Sequence, residues 1–175
     1  MIVEIVFAAG CFWGVEKHFE SMDGVVDVKS GYVGGNYTNP TYEDVLRNRL
    51  LVNNTKNIIN HTEGVSVKFD NTKISAGKLI KSFWELHDPT QKDRQGNDIG
   101  NNYRSAIFYT TQNQLDIINK TKMQYQILLN KNGYGKIQTQ ILPLKKFWLA
   151  ESYHQDYLNI NPNGYCPSHM TGVKF

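Results

Sequence analysis

The first twenty residues carry the pattern that most constrains the fold of this chain. Residues 2–9 form an apolar run rich in Ile and Val, which is typical of a buried strand. Gly10 ends the run, and apolar side chains then recur at helical spacing, at Phe12, Val15 and Phe19. The sequence therefore predicts a strand that passes directly into a helix, with Cys11 on the first turn of that helix.

The remaining chain continues to alternate between strand-like and helix-like segments. Strands are predicted around residues 25–28, 63–69, 105–109 and 137–142, and helices over 76–87, from 112 to about 133 and over 151–158. Glycine-rich residues 31–36 are predicted to turn, and residues 39–42 to form a loop. No linker-like break interrupts the alternation, so we predict one α/β domain over residues 1–175. It carries a surface insertion at about 46–60 and a mobile coil tail from about residue 160.

Composition excludes several functional classes. The net charge of +3 comes from 19 basic against 16 acidic residues, with no dense basic run to bind nucleic acid. No apolar run approaches the roughly 18 residues of a membrane helix, and the apolar start lacks the basic segment of a signal peptide. Two cysteines do not form a secreted disulfide framework. We therefore expect a cytoplasmic protein that does not bind membranes, and nothing in the sequence demands more than a monomer.

The position of Cys11 suggests a reactive thiol. A sulfur on the first turn of a helix experiences the positive end of the helix dipole and faces free backbone N–H groups, and both effects favour the thiolate. The alternative is a buried structural cysteine, with Phe12 and Trp13 as core residues. Because this helix also buries Val15 and Phe19, at least one of the two aromatic residues is expected to flank an opening.

Several blocks of the chain resemble the A-type peptide methionine sulfoxide reductases, beginning with Gly10-Cys11-Phe12-Trp13-Gly14. Further blocks follow in the family's order: residues 31–35, 39–42, 87–89, 94–100, 103–105, 153–158 and 161–166. The resemblance implies a single-domain two-layer α/β (α+β) sandwich, with a mixed sheet, a ferredoxin-like βαβ core and a long C-terminal coil. It also implies reduction of methionine-S-sulfoxide, free or in proteins, as a repair of oxidised proteins.

The resemblance implies a role for each matching residue. Cys11 attacks the sulfoxide sulfur and becomes a sulfenic acid, and Cys166 resolves this acid to a disulfide that thioredoxin, or dithiothreitol in vitro, reduces. Glu63 protonates the sulfoxide oxygen, with Glu43 as the alternative acid. Tyr42 and Tyr103 are also catalytic, since their hydroxyls hydrogen-bond the sulfoxide oxygen and steady the developing charge. The remaining assigned residues bind substrate: the rings of Phe12 and Trp13, the carboxylate of Asp98, and the side chains of His154, Tyr157 and Tyr165.

Two features depart from the family pattern. The insertion before Glu63 lengthens the chain between Tyr42 and the acid, and the segment after Cys166 begins with Pro167 where the family has glycines. Cys166 and His169 alone do not make a zinc site, so no metal and no bound cofactor are expected. Two other functions stay open: a thiol oxidoreductase acting on peroxide or other sulfoxides, and a module that binds oxidised methionine without turnover.

Overall fold

The computed structural model describes residues 1–52 and 55–175. Within these ranges the helices are α1 (Phe12–Glu20), α2 (Tyr42–Arg47), α3 (Ala76–Leu86), α4 (Gln112–Lys131) and α5 (Tyr157–Ile160). The strands are β1 (Ile2–Ala8), β2 (Val25–Val33), β3 (Thr62–Asp70), β4 (Arg94–Gln95), β5 (Asp98–Ile99), β6 (Ala106–Tyr109), β7 (Gln140–Pro143) and β8 (Phe147–Leu149). Short 3₁₀ helices cover Asn101–Tyr103 and Ser152–His154.

Six of the described strands form one mixed sheet in the order β7-β6-β1-β3-β2-β8. Neighbouring strands are antiparallel except β6 and β7, which are parallel. The central four strands and their connecting helices α1 and α3 have the βαββαβ order of a ferredoxin-like core. The predicted fold class, a single α/β domain with a mixed sheet, is confirmed.

Strand β1 shows how the sequence builds the two faces of this sheet. Ile5 and Phe7 are fully buried in the main core, where the ring of Phe7 stacks on Phe19 of α1 and Phe83 of α3. Val6 and Ala8, which alternate with them, pack into a smaller cluster on the opposite face. Because both faces of β1 are covered, the strand reads as a continuous apolar run rather than an alternating one.

Side-chain hydrogen bonds cap the start of the two longest helices, α3 and α4. Ser75 accepts from the backbone N–H of Lys78 at the start of α3, and Thr111 accepts from that of Gln114 at the start of α4. The Gln114 amide oxygen accepts from the backbone N–H of Thr110, one residue before the cap. No helix among the described residues is long and apolar enough to cross a membrane.

Some local predictions were wrong. Residues 31–33 were expected to turn but belong to β2, because Gly31 lets β8 approach closely: a Cβ there would lie 2.4 Å from the Trp148 carbonyl oxygen. The predicted loop over 39–42 ends in α2, which a reciprocal capping box between Thr41 and Asp44 begins. The predicted strand over 137–142 is shorter and begins at Gln140, and the predicted helix over 151–158 divides into a 3₁₀ turn and α5.

The coil tail after α5 is attached to the domain at its far end. Val173 is buried in the core, and its carbonyl oxygen accepts from the hydroxyl of Tyr125 at 2.9 Å. The ring of Phe175 stacks on Tyr125, and its backbone N–H donates to Glu85 at 2.8 Å. While these contacts hold, movement of the tail is confined to the residues before them, and the expected mobility stays a prediction.

The proposed insertion at 46–60 includes Asn53 and Asn54, which lie outside the described residues. Its first part borders the 3₁₀ helix that follows β5, because the carbonyl oxygen of Arg49 accepts from the backbone N–H of Asn101 at 2.8 Å. At its other end the Asn60 side chain is buried and donates to the Val45 carbonyl oxygen at 2.9 Å.

Candidate active site

The candidate site lies at one end of the strands of the sheet, where β1 ends and β3 begins. Strands β1 and β3 are antiparallel, so the end of β1 lies beside the start of β3. Cys11 follows β1 and is the N-cap residue of α1, while Glu63 is the second residue of β3. This pairing brings the thiol and the carboxyl group together, since the backbone N–H of Phe12, the residue after Cys11, donates to Glu63 Oε2 at 3.2 Å.

Gly10 allows the sharp passage from β1 into α1. Its φ of +94° lies in the region that side chains disfavour, and a Cβ there would lie 3.0 Å from the Gln95 side chain. The fully buried Gln95 in turn bonds to both backbone groups of Asp88, at 3.0 Å and 2.6 Å. The junction that presents Cys11 is therefore packed against the β4–β5 hairpin.

A cavity of about 110 Å³ lies at this edge. It is lined by eight of the residues predicted from the sequence: Cys11, Phe12, Trp13, Tyr42, Glu63, Asp98, Tyr103 and Tyr165. The volume suits a small group such as the end of a methionine side chain. His154, Tyr157 and Cys166 lie next to this cavity and not in its wall.

Glu63 is an acid held in its neutral form. Its side chain is 2% exposed, and burial raises its pKa to about 8. The N–H of Phe12 opposes this rise, and the nearby Asp98 carboxylate adds to it. Glu63 thus keeps its proton through neutral pH. The alternative acid, Glu43, is exposed on α2 and does not line the cavity.

The helix end was expected to favour the thiolate form of Cys11, but the thiolate is not the resting form in this pocket. Burial raises the pKa of the Cys11 thiol well above its ordinary value, and the negative charge on Glu63 would raise it further. The backbone N–H of Trp13 lowers the pKa as predicted, but the effect of burial is larger. The resting site therefore holds a thiol beside a neutral carboxyl group.

Two phenols face this pair. Burial raises the pKa values of both Tyr42 and Tyr103, and a negative charge on Glu63 would raise them further, so each keeps its hydroxyl proton. Tyr42 is the first residue of α2, and its backbone N–H donates to Glu151 at 3.2 Å. Glu151 also accepts from the hydroxyls of Tyr32 and Tyr153. This positioning role could not be predicted from the sequence, because a single Glu before a short turn carries no distinctive pattern.

The rings of Phe12 and Trp13 form an aromatic wall of the cavity, and two predicted binding residues support this wall from behind. The indole of Trp13 stacks on Tyr157 with ring centroids 3.7 Å apart, and its Nε1 donates to His154 Nδ1 at 3.1 Å. Burial lowers the pKa of His154, so the ring is neutral with its proton on Nε2. His154 also packs against the Phe12 ring. Both residues hold the wall in place.

A second missed residue orients this support. Glu16, one turn after Phe12 on α1, is buried and accepts from the backbone N–H of Asp156 at 3.1 Å, just before α5 begins. Burial raises the pKa of Glu16 to about 7. Asp156 has a left-handed backbone with φ of 53°, and its bond to Glu16 ties the start of α5 to α1. Tyr157 is thereby placed against Trp13.

The C-terminal tail closes the other side of the pocket. Asp98, in the β4–β5 hairpin, accepts from the hydroxyl of Tyr165 at 2.9 Å. Cys166 is exposed, and a larger cavity of about 280 Å³ between α1 and the tail is lined by both Cys11 and Cys166. A Cβ on Gly14 would lie 3.3 Å from Cys166 Sγ, so the second thiol rests over the first turns of α1.

A model of the family "Peptide methionine sulfoxide reductase" matches residues 3–174. The chain belongs to this family. The prediction that it is an enzyme of the peptide methionine sulfoxide reductase class is thus confirmed. The reductases named MsrA in Vibrio parahaemolyticus and Pseudomonas putida are each 46% identical to it; the matches cover 98% and 96% of this chain and 77% and 72% of theirs.

Solved structures of the same family share the fold. Methionine sulfoxide reductase A of Corynebacterium diphtheriae is 40% identical, with a TM-score of 0.85 over 98% of this chain and 81% of that one. Reduced Mxr1 from Saccharomyces cerevisiae is 34% identical, with a TM-score of 0.81 over 99% and 93%. Mxr1 in complex with Trx2 is also similar, at 26% identity and a TM-score of 0.59 over 99% and 91%.

Proposed function

We propose that this reductase acts on the S epimer of methionine sulfoxide, free or in oxidised proteins, with Cys11 as nucleophile and Glu63 as acid. One observation carries the proposal: a thiol, a neutral buried carboxyl group and two phenols line a single small cavity with an aromatic wall. The methyl group of the sulfoxide packs on Phe12 and Trp13. The sulfoxide oxygen then faces Glu63 and the hydroxyls of Tyr42 and Tyr103.

The first step transfers oxygen from the substrate to the enzyme. Cys11 sulfur attacks the sulfoxide sulfur as Glu63 gives its proton to the oxygen, and the carboxylate so formed takes up the proton of the thiol. The tyrosine hydroxyls donate hydrogen bonds to the oxygen as charge develops on it. Methionine leaves with its sulfur reduced, and Cys11 becomes a sulfenic acid. A raised Cys11 pKa fits this scheme, since thiolate is needed only while the substrate is bound.

The second step recycles the enzyme. Cys166 sulfur bonds to Cys11 sulfur, and the sulfenic oxygen leaves as water. A dithiol then reduces the disulfide. We propose thioredoxin for this role, supported by the structure of the relative Mxr1 in complex with Trx2. No bound cofactor or metal takes part in the scheme, and we propose a monomer that works in the reducing cytoplasm.

Separate S and R epimers of a methionine sulfoxide peptide test the assignment. With dithiothreitol, we expect turnover of the S epimer alone and its loss in Cys11→Ser. With thioredoxin, Cys166→Ser should release one methionine per enzyme and then stop. Equal turnover by Cys11→Ser and the unmodified protein would refute the proposal.

A matched pair of substitutions tests the acid. Glu63→Gln should slow methionine release by about 10²-fold to 10⁴-fold, the range typical of a general acid. Glu43→Gln, which alters an exposed carboxylate outside the cavity, is the control and should leave the rate unchanged. If the two variants behave alike, Glu63 is not the proton donor.

A further inference from the structure

One carboxylate on the hairpin holds the tail on both sides of Cys166. Asp98 Oδ1 accepts from the hydroxyl of Tyr165, the residue just before Cys166. Asp98 Oδ2 lies 3.6 Å from Nε2 of His169, three residues after Cys166. The distance is too long for a hydrogen bond but within the range of an ion pair when the imidazole is protonated. The five-residue segment from Tyr165 to His169 thus forms a loop closed on a single side chain.

The contact between His169 and Asp98 is shielded from water. The two side chains are 18% and 12% exposed. Both Nε2 of His169 and Oδ2 of Asp98 are buried and, among the described residues, neither has a hydrogen-bond partner. Each of these two atoms therefore has the other as its nearby polar counterpart. A polar pair closed off from solvent in this way contributes more than the same pair on an open surface.

A glycine in the β4–β5 hairpin leaves space for the imidazole ring of His169. Gly96, two residues before Asp98, has φ of +56°, and a Cβ there would lie 2.5 Å from two atoms of the His169 ring. The imidazole therefore packs closely against Gly96. His169 also lines the cavity of about 280 Å³ that contains both cysteines, so the ring stands beside the space in which their sulfurs must meet.

We propose that His169 is a positioning residue for the disulfide step, which holds Cys166 over α1 by pairing with Asp98. This inference rests on the proposed function. A peptide substrate that donates a hydrogen bond to Asp98 competes with the tail for the same carboxylate. Substrate entry then loosens the loop, and departure of methionine lets His169 return and bring Cys166 to the sulfenic acid on Cys11. The bond between the two sulfurs forms as the sulfenic oxygen leaves with the thiol proton as water.

Single-turnover chemistry separates the two steps. The reduced protein is mixed with excess acetylated methionine-S-sulfoxide amide and no reductant, and both methionine release and loss of free thiols are followed in time. In His169→Ala, methionine release should match the unmodified protein, while disulfide formation should slow on the order of tenfold, as for loss of one charge-assisted contact. His169→Gln, which keeps a side-chain N–H of similar reach, should be slowed less. Ser168→Ala, on the exposed neighbouring residue, is the matched control.

Two kinetic comparisons exclude a merely structural effect. With dithiothreitol, which reduces the sulfenic acid directly, His169→Ala should keep the kcat of the unmodified protein, whereas thioredoxin-supported kcat should fall. Following the loss of free thiols only after the burst of methionine release is complete removes substrate binding from the measurement. In that assay His169→Ala should have little further effect once Asp98→Asn is present.

Disulfide formation at the unmodified rate in His169→Ala would overturn the inference, as would full additivity of the two substitutions. Neither result would contradict the proposed function. That proposal fails separately, if the unmodified protein does not reduce the sulfoxide with dithiothreitol.

Discussion

Replacing Glu63 with Gln tests the central electrostatic feature of the pocket, a carboxyl group removed from water. Its pKa is raised from 4.5 to about 8, mainly by burial. In the unfolded chain the same group titrates near its ordinary value. Because the folded pKa is the higher one, the contribution of Glu63 to stability is fully present below pH 4.5 and is lost as the pH rises through 8. The variant amide has no proton to lose, so its stability lacks this dependence.

The size of the effect follows from the shift. A rise from 4.5 to about 8 corresponds to about 5 kcal/mol at 1.36 kcal/mol per pKa unit, and about 3 kcal/mol of it is lost by pH 7. We therefore expect the free energy of unfolding of Glu63→Gln, minus that of the unmodified protein, to rise by about 1.4 kcal/mol per pH unit between pH 5 and 8. Above that range the difference should level off. Solvent screening does not reduce the figure, since Glu63 is 2% exposed.

Urea unfolding followed by tryptophan fluorescence, with reductant present, measures this difference at pH 5, 6.5, 8 and 9. All other titrating groups are shared by the two proteins and largely cancel. Glu43→Gln is the control, since its carboxylate is exposed, and its difference should stay nearly constant. A constant difference for Glu63→Gln as well would show that Glu63 is ionised at neutral pH in the folded protein, and the reasoning about the acid would fail.

Three further substitutions probe the wall, the tail and the core. Gly14→Ala places a Cβ 3.3 Å from Cys166 Sγ in the middle of a helix; urea unfolding should show stability raised by up to about 1 kcal/mol, and thiol counting should show slower disulfide formation. Trp13→Phe removes the 3.1 Å bond to His154, and steady-state kinetics should show KM for a sulfoxide peptide raised on the order of tenfold; an unchanged KM would mean that the bond does not hold the wall. Phe83→Ala empties a fully buried site and should cost about 3 to 5 kcal/mol of unfolding free energy, with activity per folded molecule retained; a smaller cost would mean that the core collapses around the gap.

The elements that periodicity predicted are the ones with enough length to show a period. The strand before Gly10 and the helices α1, α3 and α4 each span seven residues or more in the structure, and the last two are begun by recognisable caps. Helix α2, strand β8 and the β4–β5 hairpin are six residues or fewer per element. Such short pieces are held by tertiary contacts, for example the close approach of β8 to Gly31, and leave no period to detect.

The residues of the site also differ in whether local sequence pattern could predict their positions. That Cys11 follows a strand and begins a helix could be predicted from local pattern, because both signals lie within a few residues of it. The approach of Glu63 depends on which strands pair, a non-local outcome that only the resemblance to known reductases anticipated. Glu16 and Glu151 were missed because each acts through contacts to backbone or side chains more than 100 residues away.

The raised pKa values of Cys11 and Glu63 have one physical origin and suit one kind of substrate. A Cys11 thiolate in the empty pocket would be a charge held away from water, which costs free energy. An ionised Glu63 beside it would add repulsion between two negative charges. With both groups protonated, neither Cys11 nor Glu63 carries a charge in the empty pocket, which can close around a sulfoxide, a polar but neutral group. On the proposed mechanism the proton leaves sulfur as another arrives at oxygen, so these two groups are not charged together. Burial is therefore compatible with catalysis here, because the reaction itself moves the charge that burial disfavours at rest. The position of Cys11 at a helix end does not by itself indicate this burial.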